Sequence, residues 1–171
     1  DFLWAQAQLS TLKASTSKLI ANDAMELSLL ITDNYNLDTS DIAMQTFARA
    51  DLLNYQKRKQ DALVKYDSIL VLFPGHSLSD EIYMRKAEIY IELDDYQEAL
   101  VMYDKIILEH PYDILVDDAL YRKAQIYHKK LQEKSKAMDI YERILLEYNS
   151  SIFVAKSRKK FRELIGDKLE E

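Results

Sequence analysis

Glycine occurs only at Gly75 and Gly166, and proline only at Pro74 and Pro111, in 171 residues, far below average usage. Hairpins and sheet corners rely on such residues, so a turn-rich β fold is disfavoured. Cysteine is absent, which excludes disulfides, thiolate nucleophiles and thiolate-held metals and leaves the redox compartment open. No apolar run approaches the ~18 residues of a membrane span, so direct membrane insertion is not expected. Glycine-rich phosphate loops, nucleophile elbows and HExxH sequences are missing too. No sign of an enzyme remains, and no cofactor is expected. Positive charge is also short: 23 Lys and Arg stand against 29 Asp and Glu, a net charge of -6. That is the wrong sign for binding phosphate backbones, so nucleic acid is not an expected partner.

What is present is 48% hydrophobic and 30% charged residues, enough of both to exclude a disordered chain. The order of those residues repeats. DEIYMRKAEIYIELDDYQEALVMYDKIILEHP, from Asp80 to Pro111, aligns with DDALYRKAQIYHKKLQEKSKAMDIYERILLEYN, from Asp117 to Asn149. KAEIY and KAQIY lie 37 residues apart and YDKIILE and YERILLE 38, so the later unit holds one inserted residue between its helices. Moving back 37 residues places Ala50, Ala62, Tyr66, Ile69 and Pro74 under Ala87, Ala99, Tyr103, Ile106 and Pro111. Apolar residues recur at three and four positions within each unit, giving every helix one buried stripe. Asp94, Asp95 and Glu98 supply helix-start chemistry of the capping-box kind.

At these residues the sequence resembles the tetratricopeptide repeat family. In the middle unit Tyr83, Ala87 and Tyr90 look like the first-helix set, and Ala99, Tyr103, Ile106 and Pro111 like the second, with Ile106 larger than the family's small residue. The third unit matches with Leu120, Ala124, Tyr127, Ala137, Tyr141 and Ile144, with Asn149 where proline is usual. In the first unit Thr46 and Leu53 replace the large and aromatic residues. The resemblance implies an all-α fold of antiparallel helix-turn-helix repeats stacked as a right-handed superhelix, an α-solenoid. The expected division is 1–38 for an orphan second helix and an irregular seam helix, repeats at 39–77, 78–114 and 115–150, and a capping helix with its tail at 151–171. The period exceeds the family's usual ~34, the excess falling in FPGHSLSDE and HPYDILVDD. Such junctions resemble those of bacterial envelope repeat proteins, which points to a periplasmic or envelope location, with the cytoplasm as the alternative.

The opening DFLWAQAQL lies on the template DYQEALVMY, with Asp1 under Asp95, Phe2 under Tyr96, Ala5 under Ala99, Leu9 under Tyr103 and Leu12 under Ile106. The expectation is a C-terminal fragment of a longer array, cut inside a repeat. Asn22 to Tyr35 reads as a helix with Ala24, Leu27 and Ile31 on one stripe, and NLDTSD as the cap of the next. At the far end Ile152, Ala155, Phe161, Leu164 and Ile165 form the apolar set of a closing helix, with Lys156, Lys159, Lys160 and Arg162 as its charged set.

In the tetratricopeptide family the first helices line a concave face that binds a peptide or a partner helix. Carried over, this implies an outward apolar column of Phe47, Met84 and Tyr121. Beside it run Arg85 and Arg122, then Asp51, Glu88 and Gln125, then Asn54, Ile91 and His128. Aromatic and Arg residues suit such a role. The implied function is a non-catalytic protein-interaction scaffold, with a regulatory or structural appendage of a larger protein as the alternative. Other candidates have blander readings. His76, His110 and His128 lack the spacing of a helical metal site. Asp80-Glu81, Asp94-Asp95 and Asp117-Asp118 sit at helix starts, where carboxylates cap and complement the dipole. KSRKKFR, Lys156 to Arg162, reads as a solvated face.

Overall fold

The computed structural model describes residues 2–15, 17–35 and 41–166, and all its regular structure is helical. The helices are α1 (Phe2–Leu12), α2 (Lys18–Tyr35), α3 (Ile42–Tyr55), α4 (Lys59–Leu72), α5 (Ser79–Glu92), α6 (Tyr96–Glu109), α7 (Val116–Gln125), α8 (Lys134–Glu147) and α9 (Val154–Ile165), with a π-helical turn, Ile126–Lys130, continuing α7. The chain forms two compact units, one up to Ser79 and one from Asp80 onward. The fold class is all-α, built from helical hairpins. The places of Asp1 and of residues 36–40, most of the expected NLDTSD cap, lie outside the described residues, as does the tail from 167.

In the first unit α1 packs on α2 and α3 on α4. Leu9 is the buried residue of α1, while Leu12 is 46% exposed. The buried stripe of α2 is Ala24, Ser28, Ile31 and Asn34, with Leu27 exposed. This corrects the expected stripe, and hydrogen bonding supplies the reason. Ser28 Oγ donates to Gln6 Oε1 (2.7 Å) and accepts from Lys13 Nζ (2.7 Å), so a polar seam holds α2 to α1 where apolar packing was expected. Asn34 Oδ1 accepts from Ser77 Oγ at 2.6 Å, which satisfies its buried amide.

In the second unit α6 packs on α7, α7 on α8, and α8 on the π turn and on α9. The repeat register explains why. Ala50, Ala87 and Ala124 on the first helices, and Ala62, Ala99 and Ala137 on the second, are all fully buried. Only a methyl lets two backbones approach closely there, and larger side chains overpack such sites. Tyr66, Tyr103 and Tyr141 are fully buried in the same register, each adding a large apolar ring to its hairpin. Asp95 caps α6 by accepting from the Glu98 N–H at 3.3 Å.

The turns from α3 to α4, α5 to α6 and α7 to α8 each place a residue in the left-handed region: Lys57 (φ 65°), Asp94 (φ 59°) and Gln132 (φ 58°). The amide one residue on reaches back to the first helix, Arg58 to the Leu53 carbonyl and Asp95 to that of Tyr90, five residues apart. In the last hairpin Glu133 reaches the Tyr127 carbonyl, six residues back, and Leu131 donates to Ile126 at 3.0 Å. The inserted residue is therefore absorbed at the end of the first helix as a π turn, which widens one turn of backbone by one residue.

At the C-terminal end α9 presents Ser157 to the interior, with Phe161 and Leu164 half-buried. Ile152 and Ala155, expected in its apolar set, are exposed, and Ile165 is 49% exposed. The helix starts only at Val154, so Ile152 lies in the preceding turn and Phe153 anchors the junction in its place, stacked on Tyr121.

Candidate functional site

The side chains expected to meet a partner lie on the first helices α3, α5 and α7. In the first unit Phe47 is buried and meets the Tyr66 ring edge-on at 5.6 Å. One turn later Asp51 accepts a hydrogen bond from the Tyr66 hydroxyl, and Asn54 is half-buried. In the second unit Met84 and Tyr121 are buried. Tyr121 stacks on Phe153 with centroids 4.7 Å apart and lies 6.1 Å from the Tyr141 ring. The expected outward column of Phe47, Met84 and Tyr121 is thus corrected, because all three are core. A helix packed on more than one neighbour buries a wider stripe than one facing a single partner, so the residue beside the assigned packing position turns inward too.

The polar rows stay accessible and are tied together. Glu88 Oε2 accepts from Arg85 Nη1 at 3.3 Å and Glu88 Oε1 from Arg122 Nη1 at 3.2 Å. Arg122 Nε donates to Asp118 Oδ1 at 2.8 Å. The four side chains are between 23% and 39% exposed, so they are shielded enough to hold their geometry and open enough to be reached. Burial alone would lower the pKa of Arg122, but the bond to Asp118 and the charges of Asp118 and Glu88 outweigh it and raise it above its ordinary value. Beneath this array burial pushes the Tyr103 hydroxyl up, with Arg122 opposing and Glu88 adding to the shift. Ile91, Gln125 and His128 are half-buried. Burial lowers the pKa of His128, and nearby Lys160 lowers it further.

Around this face lie contacts that the sequence reading missed. Lys123 on α7 pairs with Asp104 on α6. Tyr83 donates to Glu109 Oε2 at 3.0 Å, and burial followed by that bond pushes its pKa up to about 12. Asp113, in the α6–α7 junction, holds its carboxyl above the usual range through burial first and then through the charge and hydrogen bond of Asp80. Asp80 itself is 4% exposed. The Asp118–Arg122 pair was legible, since four residues separate them on one helix. Lys123–Asp104 and Asp80–Asp113 were not, because each joins residues brought together only by packing. No group of three or more His, Asp or Glu among the described residues is placed to hold a metal ion.

With this geometry in hand, the hairpins can be compared with known proteins. Residues 80–108 and 118–151 match models described as the tetratricopeptide repeat. Both stretches are similar to tetratricopeptide repeats. The crystal structure of a tetratricopeptide repeat protein from Parabacteroides merdae ATCC 43184 is similar over 96% of this chain, with a TM-score of 0.59 and 18% identity. At that identity the likeness shows the fold. The chain spans 61% of that structure's length. No curated protein matches. Tetratricopeptide repeats generally mediate protein–protein interaction, and the polar array described above lies on the first helices of the two repeats that match.

Proposed function

We propose that the chain is a non-catalytic scaffold that binds a protein partner, as an extended peptide or a helix, on the first-helix face of its repeats. The observation that carries this reading is the half-buried Arg85–Glu88–Arg122–Asp118 array flanked by Ile91 and Gln125. Guanidinium groups already held in place lose little freedom when a partner's acceptors arrive, so contacts they make to a partner carry a low entropic cost. Ile91 adds an apolar contact, and Gln125 and His128 add polar ones at the edge. In the first unit Asp51 and Asn54 hold the equivalent register positions. In the second unit the buried Met84 and Tyr121 lie on the same helices as this face, as the buried Phe47 lies on the helix of Asp51 and Asn54 in the first. By resemblance of the long junctions, the setting proposed is the bacterial cell envelope.

The test is affinity capture from a lysate by the native chain and by an Arg85→Ala, Ile91→Ser, Gln125→Ala variant, followed by titration calorimetry with each captured protein. The expected result is a partner whose affinity falls by about 2 kcal/mol or more in the variant, the loss typical of interface hot spots, while circular dichroism stays native. Equal affinity for every captured protein would contradict the placement.

A further inference from the structure

Two basic runs distant in sequence meet in the second unit. One runs from Lys129 to Lys136 through the π turn and the start of α8, and the other from Lys156 to Glu163 along α9. Together they hold nine of the chain's 23 Lys and Arg residues but only two of its 29 acidic ones, Glu133 and Glu163. α8 packs against both the π turn and α9 and so brings the runs together. His128, whose ring lies edge-on to Tyr141 of α8 at 6.3 Å, sits between them and feels Lys129 and Lys134 from one run and Lys160 from the other. Lys129, Lys134, Arg158 and Lys159 are exposed. In the preceding repeat the corresponding turn carries Glu92, Asp94 and Asp95, so the sign of the charge reverses from one hairpin to the next.

We infer that this surface is a second docking site, which meets the first-helix face only at His128 and takes a short acidic segment of a protein partner. Charge complementarity sets the sign of the occupant, and three observations favour a protein segment over other anions. The rest of the chain holds 27 of the 29 acidic residues, so a long polyanion or an anionic membrane plane is repelled as soon as it extends past the patch. Two aromatic rings beside the runs are already covered: Phe153 is stacked on Tyr121 with Lys156 above it at 5.7 Å, and Tyr127 lies under Lys136 at 5.1 Å, so neither offers an open platform for nucleic-acid bases. Leu146, 72% exposed near the end of α8, and Ile152, 81% exposed in the turn before α9, are apolar side chains left open on the same stretch of chain that carries the runs.

Fluorescence anisotropy of a labelled peptide of repeated Glu-Asp-Leu-Glu tests this, with the native chain and a Lys129→Glu, Lys134→Glu, Arg158→Glu, Lys159→Glu variant. All four positions are exposed, and native circular dichroism verifies the fold. Saturable binding by the native chain, weakened by salt and at least about tenfold weaker in the variant, is the expected result. Absent or unsaturable binding, or equal binding by the variant, would overturn the assignment. So would tighter binding to phosphatidylserine vesicles or single-stranded RNA than to the peptide. An Arg85→Ala, Ile91→Ser, Gln125→Ala variant should bind the peptide as the native chain does, and a parallel loss there would assign the peptide to the first-helix face instead.

Discussion

At the scale of single residues, the three equivalent tyrosines share a burial and differ in their hydroxyls. Tyr66 donates to Asp51, whereas the buried Tyr141 hydroxyl has no hydrogen-bond partner among the described residues. A hydrogen bond to a carboxylate contributes ~1.5 to 3 kcal/mol, and a buried unpaired hydroxyl costs ~1 to 3 kcal/mol. Tyr66→Phe should therefore destabilise by ~2 kcal/mol and Tyr141→Phe should be neutral or stabilising, as read by urea unfolding. The Asp80–Asp113 contact gives a pH dependence. A carboxyl whose folded pKa is raised contributes stability below its unfolded pKa, and that contribution is lost as pH rises through the folded value. Asn at position 113 keeps the acceptor that holds the Leu115 N–H at 2.8 Å and removes the negative charge beside Asp80. Thermal melts of Asp113→Asn should match the native chain below about pH 4 and lie above it near pH 7. A lower melting temperature at neutral pH would contradict the contact.

At the scale of elements, the sequence made some features plain and hid others. The Ala, Tyr and Ile positions of three hairpins were legible because a methyl at a helix crossing and a ring in a core leave a pattern at fixed spacing. The left-handed turns were not, since Lys57, Asp94 and Gln132 occupy them and no glycine marks the place. A side chain in that region costs ~1 to 2 kcal/mol. Lys57→Gly and Gln132→Gly should each recover part of it, raising stability by ~0.5 to 1 kcal/mol in urea unfolding. The inserted residue of the third hairpin was visible between its helices as the change from 37 to 38, but its form, a π turn at the end of the first helix, was not. A π turn differs from an α turn only in which carbonyl the amide reaches. Deleting Lys130, which is exposed, should restore the spacing of the preceding hairpin and leave a cooperative melt within a few degrees of native. Loss of cooperativity would mean that the packing of α8 depends on the wider turn. The outward column failed for a related reason: periodicity locates the centre of a buried stripe and leaves its width to the neighbours.

At the scale of the molecule, each compact unit is built from hairpins that share buried faces, and stability in such repeats is distributed between neighbours. The face proposed for a partner is polar, pre-paired and carried by the first helices. The most direct test of that account is hydrogen exchange of the whole chain, followed by mass spectrometry, with and without a partner captured as described above. Protection on binding should concentrate in α5 and α7, over peptides containing Arg85, Ile91, Arg122 and Gln125. Protection confined to the second helices α6 and α8, with α5 and α7 unchanged, would contradict the proposed binding face.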